Sequence, residues 1–303
     1  MGPILPPSAH VAAGKVYYAD AKGIVRSLAV DGTITLVATF PMTSTQQMLS
    51  FAVSPDGGHL LGTVFTIPKN AFSCTGSSTA ATFSFDAYTA VSGQGSKLVY
   101  HQSWSHPPNV MELTGWDALG PIGQYPSVWA TQGGGPGLDL GALVRIDPIT
   151  LKVRSNFSNP SSCLAWNSVA SGAFVCLPGP VFLGEGDAQV TEQRVNVRRP
   201  DGTELWHFTV TSMNGAWSPT LAPDSRHAII CCADVDGADF GTWVVGQDQT
   251  QIVVSNGFVP QGWLDSQTLI GYSAKGAAFA LSSDPANFKS IAVVGDFLGT
   301  VRP

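Results

Sequence analysis

A short acidic loop is the first feature of this sequence that could carry chemistry. Asp234, Asp236 and Asp239 lie close together around a glycine. Calcium prefers several oxygen ligands on a flexible turn, and this spacing is that of part of a calcium-binding loop. The bidentate glutamate that ends the full motif is absent, so a solvated acidic loop is the alternative. Glu185 and Asp187 could add ligands from a second loop or act as paired carboxylates in acid–base catalysis.

An aromatic side chain and an imidazole lie close together in a proline-rich segment. Trp104 and His106 stand two residues apart, just before two prolines. An exposed indole can stack on a sugar ring or anchor a protein partner, and His106 could act as a general base. The sequence defines no partner for His106, and Trp104 could instead pack between elements of the fold. The pair is a candidate for ligand binding, and His106 also for catalysis.

The composition excludes two classes of function. Only 12% of the 303 residues are charged and the net charge is -6, which gives no basic patch for nucleic acid. No apolar run approaches the roughly 20 residues of a membrane-spanning helix. The glycine-rich residues 133–137 lack the Gly-Lys-Ser/Thr of a phosphate loop, and Gly-x-Ser-x-Gly is absent. We expect neither nucleic-acid binding nor a membrane span.

Short apolar runs separated by turn residues dominate the chain, and this pattern predicts an all-β fold. A strand–turn–strand pattern is clearest at residues 48–66, where Ser54-Pro55-Asp56-Gly57 forms the turn. Proline fixes φ there, the Asp side chain caps the turn, and glycine can take a positive φ. The pattern returns at Ala222-Pro223-Asp224-Ser225, and weaker copies contain Trp116, Trp166 and Trp263. The repeated position of these tryptophans predicts core packing between blades. A period of about 40–50 residues is typical of propeller blades.

Counting strands predicts six blades and a closed ring. Five blades have a first strand, near residues 48, 111, 163, 216 and 259. A sixth blade at the start of the chain has three predicted strands but no first strand, at residues 15–18, 24–28 and 34–40. Residues 296–301 supply the missing strand, and closure removes exposed sheet edges. We therefore predict a linker at residues 1–10 and one domain at 11–303. That domain is a six-bladed β-propeller with four antiparallel strands per blade, closed by the C-terminal strand joining the N-terminal three.

The two proline-containing turns and the Gly-Trp pairs at Trp116 and Trp263 carry a family resemblance. The pattern resembles the TolB-type propeller family and, more loosely, the WD-repeat superfamily, over nearly the whole chain. The resemblance implies a periplasmic or extracellular binding module, or a propeller domain of the kind appended to peptidases. It implies a fold and not an activity, because propellers host many functions.

Nearly all the long loops are predicted on one face of the propeller. With the four strands of a blade labelled A to D in chain order, the A–B and C–D turns lie on one face, and the B–C and D–A connections lie on the other. The second set contains residues 67–80, 102–109, 131–141, 178–191 and 233–241. Loops beyond about 12 residues in a compact domain are usually functional. We therefore place the functional site on the B–C/D–A face.

Residues that enter the central channel from this face stand at or just before the start of each first strand. Most are uncharged hydrogen-bonding groups, which suit sugars, amides or peptide backbone better than phosphate. They are Gln47, Asn109, Glu112, Ser162, Asn214, Gln261 and Asp296. The alternative is that they line a water-filled channel and bind no ligand.

Two functions follow as hypotheses. The first is an extracytoplasmic binding module that engages a protein, peptide or saccharide through the loop-rich face and channel. The second is a metal-assisted hydrolase or lyase acting on a sugar or lactone, with His106, Glu112 and Asp296 as catalytic candidates. The neighbouring Gln, Asn and Ser residues are a poor ligand set for a divalent ion unless amide oxygens contribute. A purely structural or assembly role is the third alternative.

The N-terminal residues, the composition and the cysteines bear on the cellular compartment. The first residues lack the basic and apolar regions of a signal peptide. A Lys-poor, Gly/Ser/Thr-rich composition favours an exported, extracellular or periplasmic domain, with a cytoplasmic protein as the alternative. Cys163 and Cys176 flank a predicted hairpin turn and could form a disulfide in an exported protein.

Overall fold

The computed structural model describes residues 9–44, 46–68, 82–105, 108, 111–126, 140–157, 163–168, 173–178, 181–183, 190–212, 217–233, 241–254 and 257–291. These residues form β-strands joined by turns, and they contain no helix. The strands pair in six antiparallel sheets, which is the arrangement of a six-bladed β-propeller. The predictions of an all-β fold and of six blades are therefore confirmed. Among these residues, no helix is long and apolar enough to cross a membrane.

The chain divides near Ser155 into two compact units, and the first contains sheets 1 to 3. In each of these sheets the strands pair in sequence order. Sheet 1 contains β1 (Ala9–Ala12), β2 (Lys15–Ala19), β3 (Ile24–Leu28) and β4 (Ile34–Thr39). Sheet 2 contains β5 (Gln47–Val53), β6 (His59–Thr66), β7 (Phe83–Val91) and β8 (Ser96–Trp104). Sheet 3 contains β9 (Glu112–Asp117), β10 (Gly120–Pro126), β11 (Leu140–Ile146) and β12 (Val153–Asn156).

The second unit contains sheets 4 to 6. Sheet 4 contains β13 (Cys163–Ser168), β14 (Phe174–Pro178), β15 (Val181–Leu183), β16 (Val190–Arg198) and β17 (Glu204–Ser212). Sheet 5 contains β18 (Trp217–Leu221), β19 (His227–Ala233), β20 (Gly241–Gly246) and β21 (Gln251–Val253). Sheet 6 contains β22 (Phe258–Trp263), β23 (Thr268–Ser273), β24 (Gly276–Leu281) and β25 (Asp284–Ile291).

Sheet 1 has a first strand that the sequence analysis missed. Strand β1 pairs with β2 so that Ala12 lies opposite Lys15. The connecting residues Ala13 and Gly14 have φ of 49° and 66°, the left-handed conformation of a two-residue hairpin turn. Strand β2 therefore pairs with β1 on one edge and β3 on the other. The predicted pairing of residues 296–301 with residues 15–18 is wrong, and residues 296–301 lie outside the described residues.

The two motif turns adopt the same local structure. The N–H of Gly57 donates to the carbonyl of Ser54 at 2.8 Å, and that of Ser225 to Ala222 at 2.9 Å. In both, the Asp side chain accepts a backbone N–H two residues later, at 2.9 Å from Gly58 and from Arg226. The third position of each has a positive φ, 72° at Gly57 and 61° at Ser225. Both turns follow the first strand of a sheet, as predicted.

Buried side chains on both faces of the strands hold the sheets of a unit together. Ile229 of β19 packs in a cluster with residues of sheet 6, including Trp263 and Leu269. The next residue, Ile230, packs in a cluster with residues of sheet 4, including Val195. Because successive strand residues point to opposite faces, a sheet covered on both sides needs a continuous apolar run. Sheet 5 is therefore packed between sheets 4 and 6.

The tryptophans that we predicted in the core are described at two of three positions. Trp263 is buried, and its Nε1 donates to the carbonyl of Thr220 at 2.9 Å. Trp116 is partly buried against the cluster that contains Leu113 and Ile146. The side chain of Trp166 lies outside the described residues. The prediction of a packing role is confirmed for Trp263.

The long connections join the second and third strands of a sheet. In sheet 2 this connection runs from Thr66 to Phe83, and in sheet 3 from Pro126 to Leu140. In an antiparallel sheet these connections and the chain entry to the first strand lie at one end. In sheet 4 the predicted loop of residues 178–191 is not all loop, because it contains β15, whose Val181 lies opposite Glu192 of β16. Sheet 4 therefore has five strands and not the predicted four, because β14 and β15 pair with different parts of β16.

Candidate functional site

The first strands of sheets 1 to 3 lie side by side in the first unit. Ser50 of β5 accepts the N–H of Leu113 of β9 through its Oγ at 2.8 Å. The ring of His10 on β1 meets the ring of Phe51 on β5 edge-on, with centroids 4.8 Å apart. Strands β5 and β9 begin with Gln47 and Glu112, at the end where the long connections lie. The structure therefore places two predicted site residues at the entry of neighbouring first strands.

Glu112 is the predicted site residue with the most perturbed chemistry. It is partly buried, and desolvation raises the pKa of its carboxyl to about 7. None of the ion pairs formed among the described residues includes Glu112. Its carboxyl therefore exists near neutral pH as a mixture of acid and carboxylate. A group in this state can donate or accept a hydrogen bond and can exchange a proton with a ligand.

The carboxamide of Gln47 makes hydrogen bonds within the protein through both its oxygen and its nitrogen. Its Oε1 accepts the backbone N–H of Thr43 at 2.6 Å and of Ser44 at 3.1 Å. Its Nε2 donates to the hydroxyl of Thr66 at 3.1 Å. Gln47 therefore fixes the segment that leads into β5, and its contact with a ligand stays a prediction.

Trp104 lies at the end of β8, opposite Phe83 of β7. It is partly buried and packs against the cluster formed by Phe65, Phe83, Phe85 and Ala87. This contact matches the packing alternative that the sequence left open. Ligand binding by Trp104 is not tested by it and stays a prediction.

His10 is a titratable residue with a buried ring nitrogen that the sequence analysis missed. The residue as a whole is partly exposed, but its Nε2 is buried and has no hydrogen-bond partner among the described residues. Desolvation lowers the pKa of the imidazole to about 4. His10 was not considered in the sequence analysis because residues 1–10 were interpreted as a linker. His10 is thus a neutral ring held against Phe51 in the first unit.

Replacing His10 with phenylalanine is expected to stabilise the protein selectively at acid pH. The lowered pKa of His10 contributes stability that is present above its unfolded value of 6.5 and is lost as pH falls towards 4. At pH 4 the wild type loses up to roughly 3 kcal/mol through this group. Thermal melts from pH 4 to 8 measure the difference, with the exposed His59→Phe as control. Parallel acid branches for wild type and His10→Phe would contradict the prediction.

Most of the other predicted site residues lie outside the described residues. These are His106, Asn109, Ser162, Asn214, Asp296, the carboxylates Asp234, Asp236 and Asp239, and the pair Glu185 and Asp187. Gln261 lies in β22, with its side chain outside the described part. In the part of the chain that is described, no group of three or more His, Cys, Asp or Glu side chains could hold a metal ion. The calcium site and the channel site therefore stay predictions.

Cys176 is buried in β14 and is disulfide-bonded. The register of the β13–β14 hairpin places Cys176 opposite Ala165, and Cys163 opposite Pro178. The two cysteines are thus not directly opposite each other, whereas a simple hairpin would place them so. The cysteine bonded to Cys176 has its side chain outside the described residues.

The fold and this geometry define a six-bladed β-propeller with a polar entry to its first strands. No family model matches the chain, and no curated protein sequence matches it. Among solved structures, it is similar to an oligogalacturonate lyase in complex with manganese at 10% identity and a TM-score of 0.49, over 90% of this chain and 75% of that chain.

Two further solved structures show a similar level of likeness. The Dos1 propeller has 12% identity and a TM-score of 0.42, over 96% of this chain and 71% of that chain. BamB from Moraxella catarrhalis has 11% identity and a TM-score of 0.35, over 94% of this chain and 76% of that chain. Likeness at this level identifies no activity, ligand or partner for this chain.

Proposed function

We propose that this chain is an extracytoplasmic recognition module of the TolB type. It binds a protein, peptide or saccharide through the B–C/D–A face and the channel entry. The observation that carries the proposal is Glu112, a partly buried carboxyl without an ion-pair partner among the described residues, at the start of β9. A desolvated carboxyl that has no ion-pair partner among the described residues can gain a hydrogen bond from a ligand.

The state of Glu112 favours an uncharged polar ligand. A carboxyl with a pKa of about 7 is protonated below neutrality and then donates a hydrogen bond. Hydroxyl groups of a saccharide and carbonyl groups of a peptide accept such a bond. An anionic ligand would be repelled once Glu112 ionises, because two like charges in a partly buried place are unfavourable.

The disulfide at Cys176 supports the extracytoplasmic part of the proposal. Disulfides persist in oxidising compartments and are rare where glutathione and thioredoxin keep thiols reduced. The TolB-type assignment is supported by the two motif turns at Ser54 and Ala222, which share one hydrogen-bonding pattern.

An array of neutral oligosaccharides and extended peptides, probed with the full chain at pH 6 and pH 8, tests the proposal. The wild type is expected to bind its best array ligand more tightly at pH 6. Glu112→Ala should weaken that binding about tenfold, since a lost hydrogen bond to a buried group costs about 1–3 kcal/mol.

Glu112→Gln separates the role of the proton from a change of shape. The amide keeps a hydrogen-bond donor and does not titrate, so binding should persist and lose its dependence on pH. Glu204→Gln in β17 of the second unit serves as the control and should leave binding unchanged. If both Glu112 variants bind like the wild type at both pH values, Glu112 is not part of the site.

A second candidate function is a hydrolase or lyase that acts on a sugar or lactone. The same pKa of about 7 suits a general acid or base at physiological pH. The metal-assisted version predicts stabilisation by an ion, measured as a thermal shift with calcium, magnesium or zinc against a chelator control. No shift with any ion removes that version, and a shift that is lost in Asp236→Ala alone identifies a structural calcium loop.

A further inference from the structure

A serine, a histidine and an aspartate form a hydrogen-bonded chain on the two outer strands of sheet 2. His101 Nδ1 lies 2.6 Å from Asp86 Oδ1. Ser103 Oγ lies 3.1 Å from the other ring nitrogen, His101 Nε2. The carboxylate accepts the Nδ1 hydrogen, so Nε2 is left as the acceptor for the serine hydroxyl. This is the order of contacts by which a histidine activates a serine nucleophile.

The strand register of sheet 2 places the three side chains on one face. Asp86 of β7 lies directly opposite His101 of β8, and Ser84 lies opposite Ser103. His101 and Ser103 are two residues apart on one strand, so their side chains point to the same side. The three residues therefore meet through strand pairing and side-chain alternation, near the end of β8 that carries the long connections.

A β-bulge creates the pairing. Between the turn and the bulge, Ala90 lies opposite Ser96 and Tyr88 opposite Leu98, a register that would bring Asp86 opposite Tyr100. The irregularity between Ala87 and Tyr88 shifts the register by one residue and brings His101 opposite Asp86 instead. A shift of one residue exchanges the two faces of a strand. Bulges that re-aim a side chain are over-represented next to active sites.

Solvent exposure is low at the carboxylate and high at the imidazole and the serine, as catalysis requires. The Asp86 side chain is 18% exposed and the His101 side chain 56% exposed. Ser103 is exposed. A shielded carboxylate holds the imidazole by a strong charge-assisted bond, while the nucleophile at the other end is open to a substrate.

We propose that Ser103, His101 and Asp86 form a second site, which hydrolyses small carboxylic esters. Ser103 is the nucleophile, His101 the general base, and Asp86 a positioning residue that acts through His101. This activity goes beyond the proposed ligand recognition and uses none of its residues.

The reaction balances without a co-reactant other than water. Ser103 Oγ bonds to the ester carbonyl carbon, and its proton passes to His101 Nε2. The bond from that carbon to the alcohol oxygen breaks, and the proton on Nε2 moves to the departing alcohol. Water then attacks the acyl-serine, gives one proton to Nε2 and releases the acid, and that proton returns to Ser103. One ester and one water yield one acid and one alcohol.

The position of β8 at the edge of sheet 2 supplies a hydrogen-bond donor for the oxyanion. Strand β8 pairs only with β7 among the described strands, so it forms an edge of sheet 2. Every second N–H of an edge strand points away from its neighbour. Such a donor beside Ser103 can stabilise the oxyanion that forms on the carbonyl oxygen. An open strand edge suits a small acyl group.

Hydrolysis of p-nitrophenyl acetate by the full chain tests the proposal, together with labelling by a fluorophosphonate. Ser103→Ala and His101→Gln should each lower kcat/KM about 100-fold, the usual contribution of general base catalysis. Asp86→Asn should lower kcat and leave KM unchanged, because Asp86 does not contact the substrate. The label should map to Ser103 by mass spectrometry.

Matched controls separate catalysis from a surface hydrogen-bond chain. Ser96→Ala removes a hydroxyl from the same strand that bonds the carbonyl of Thr39 at 2.7 Å instead of an imidazole. His207→Gln removes an imidazole that pairs with Glu204 at 2.9 Å. Both should hydrolyse like the wild type. Wild-type turnover unchanged in Ser103→Ala, a label elsewhere, or no turnover above buffer would each overturn the proposal, whatever the outcome for Glu112.

Discussion

Asp117→Ala is expected to lower the free energy of unfolding by about 3–5 kcal/mol, the largest single effect that we predict. Asp117 and Arg145 form a two-bond ion pair in sheet 3, and Asp117 Oδ1 lies 3.1 Å from Arg145 Nε. Their side chains are only 6% and 10% exposed. Removing the carboxylate takes from the buried guanidinium the counter-charge that accepts two of its hydrogen bonds. It also removes the acceptor for the N–H of Leu119 at 2.8 Å.

Urea unfolding at pH 7 measures this loss. Arg154→Ala is the control, because Arg154 pairs with Asp147 at the surface and its side chain is 51% exposed. Surface pairs of this kind contribute at most about 1 kcal/mol. The double variant Asp117→Ala with Arg145→Met should recover much of the loss, since it also removes the buried charge that Asp117 neutralises. An Asp117→Ala protein as stable as Arg154→Ala would show that the pair is not buried in solution.

Glu112→Gln is expected to stabilise the protein at pH 8 by up to roughly 3 kcal/mol and to leave it unchanged near pH 4. The pKa of Glu112 is raised to about 7 in the folded protein, from 4.5. Its proton therefore favours folding, and the contribution is lost as pH rises from 4.5 through 7. Glutamine keeps the shape and removes the charge that burial penalises.

Thermal or urea unfolding of wild type and Glu112→Gln between pH 4 and 9 measures this effect. Glu204→Gln provides a control of opposite sign. Burial alone would raise the pKa of Glu204, but hydrogen bonds from His207 and Arg194 hold it below its usual value. That variant should therefore lose stability at pH 8 and approach the wild type as pH falls. Equal pH profiles for Glu112→Gln and the wild type would mean that Glu112 is solvated.

The fold was predictable where local chemistry determines the backbone. Ser54-Pro55-Asp56-Gly57 combines a fixed φ, a capping carboxylate and a glycine, and it forms the predicted turn. Ile229 and Ile230 belong to an apolar run after the second motif turn, and the strand that contains them is buried on both faces. Strand β1 was missed because Ala13-Gly14 lacks the Asn-Gly or Asp-Gly that marks most two-residue hairpins.

The candidate sites were predictable only in part. Gln47 and Glu112 could be placed at strand entries from the repeat, but neither the raised pKa of Glu112 nor the bonds of Gln47 follow from strand position. The contact of Asp86 with His101 depends on a bulge of one residue, and no turn or glycine in the sequence marks that bulge. Register errors of one residue reverse a face, so the hydrogen-bonded chain to Ser103 appears only in the structure.

The hairpin between β1 and β2 also affects the order in which the protein can fold. Every strand pairing of sheet 1 is made within residues 9–39, through short connections. The entropy cost of closing a loop rises with its length, and folding is fast when contacts are local. A first strand from residues 296–301 would have delayed sheet 1 until those residues had been synthesised. With β1 in place, sheet 1 can complete its strand pairing on the nascent chain while later sheets are still being translated.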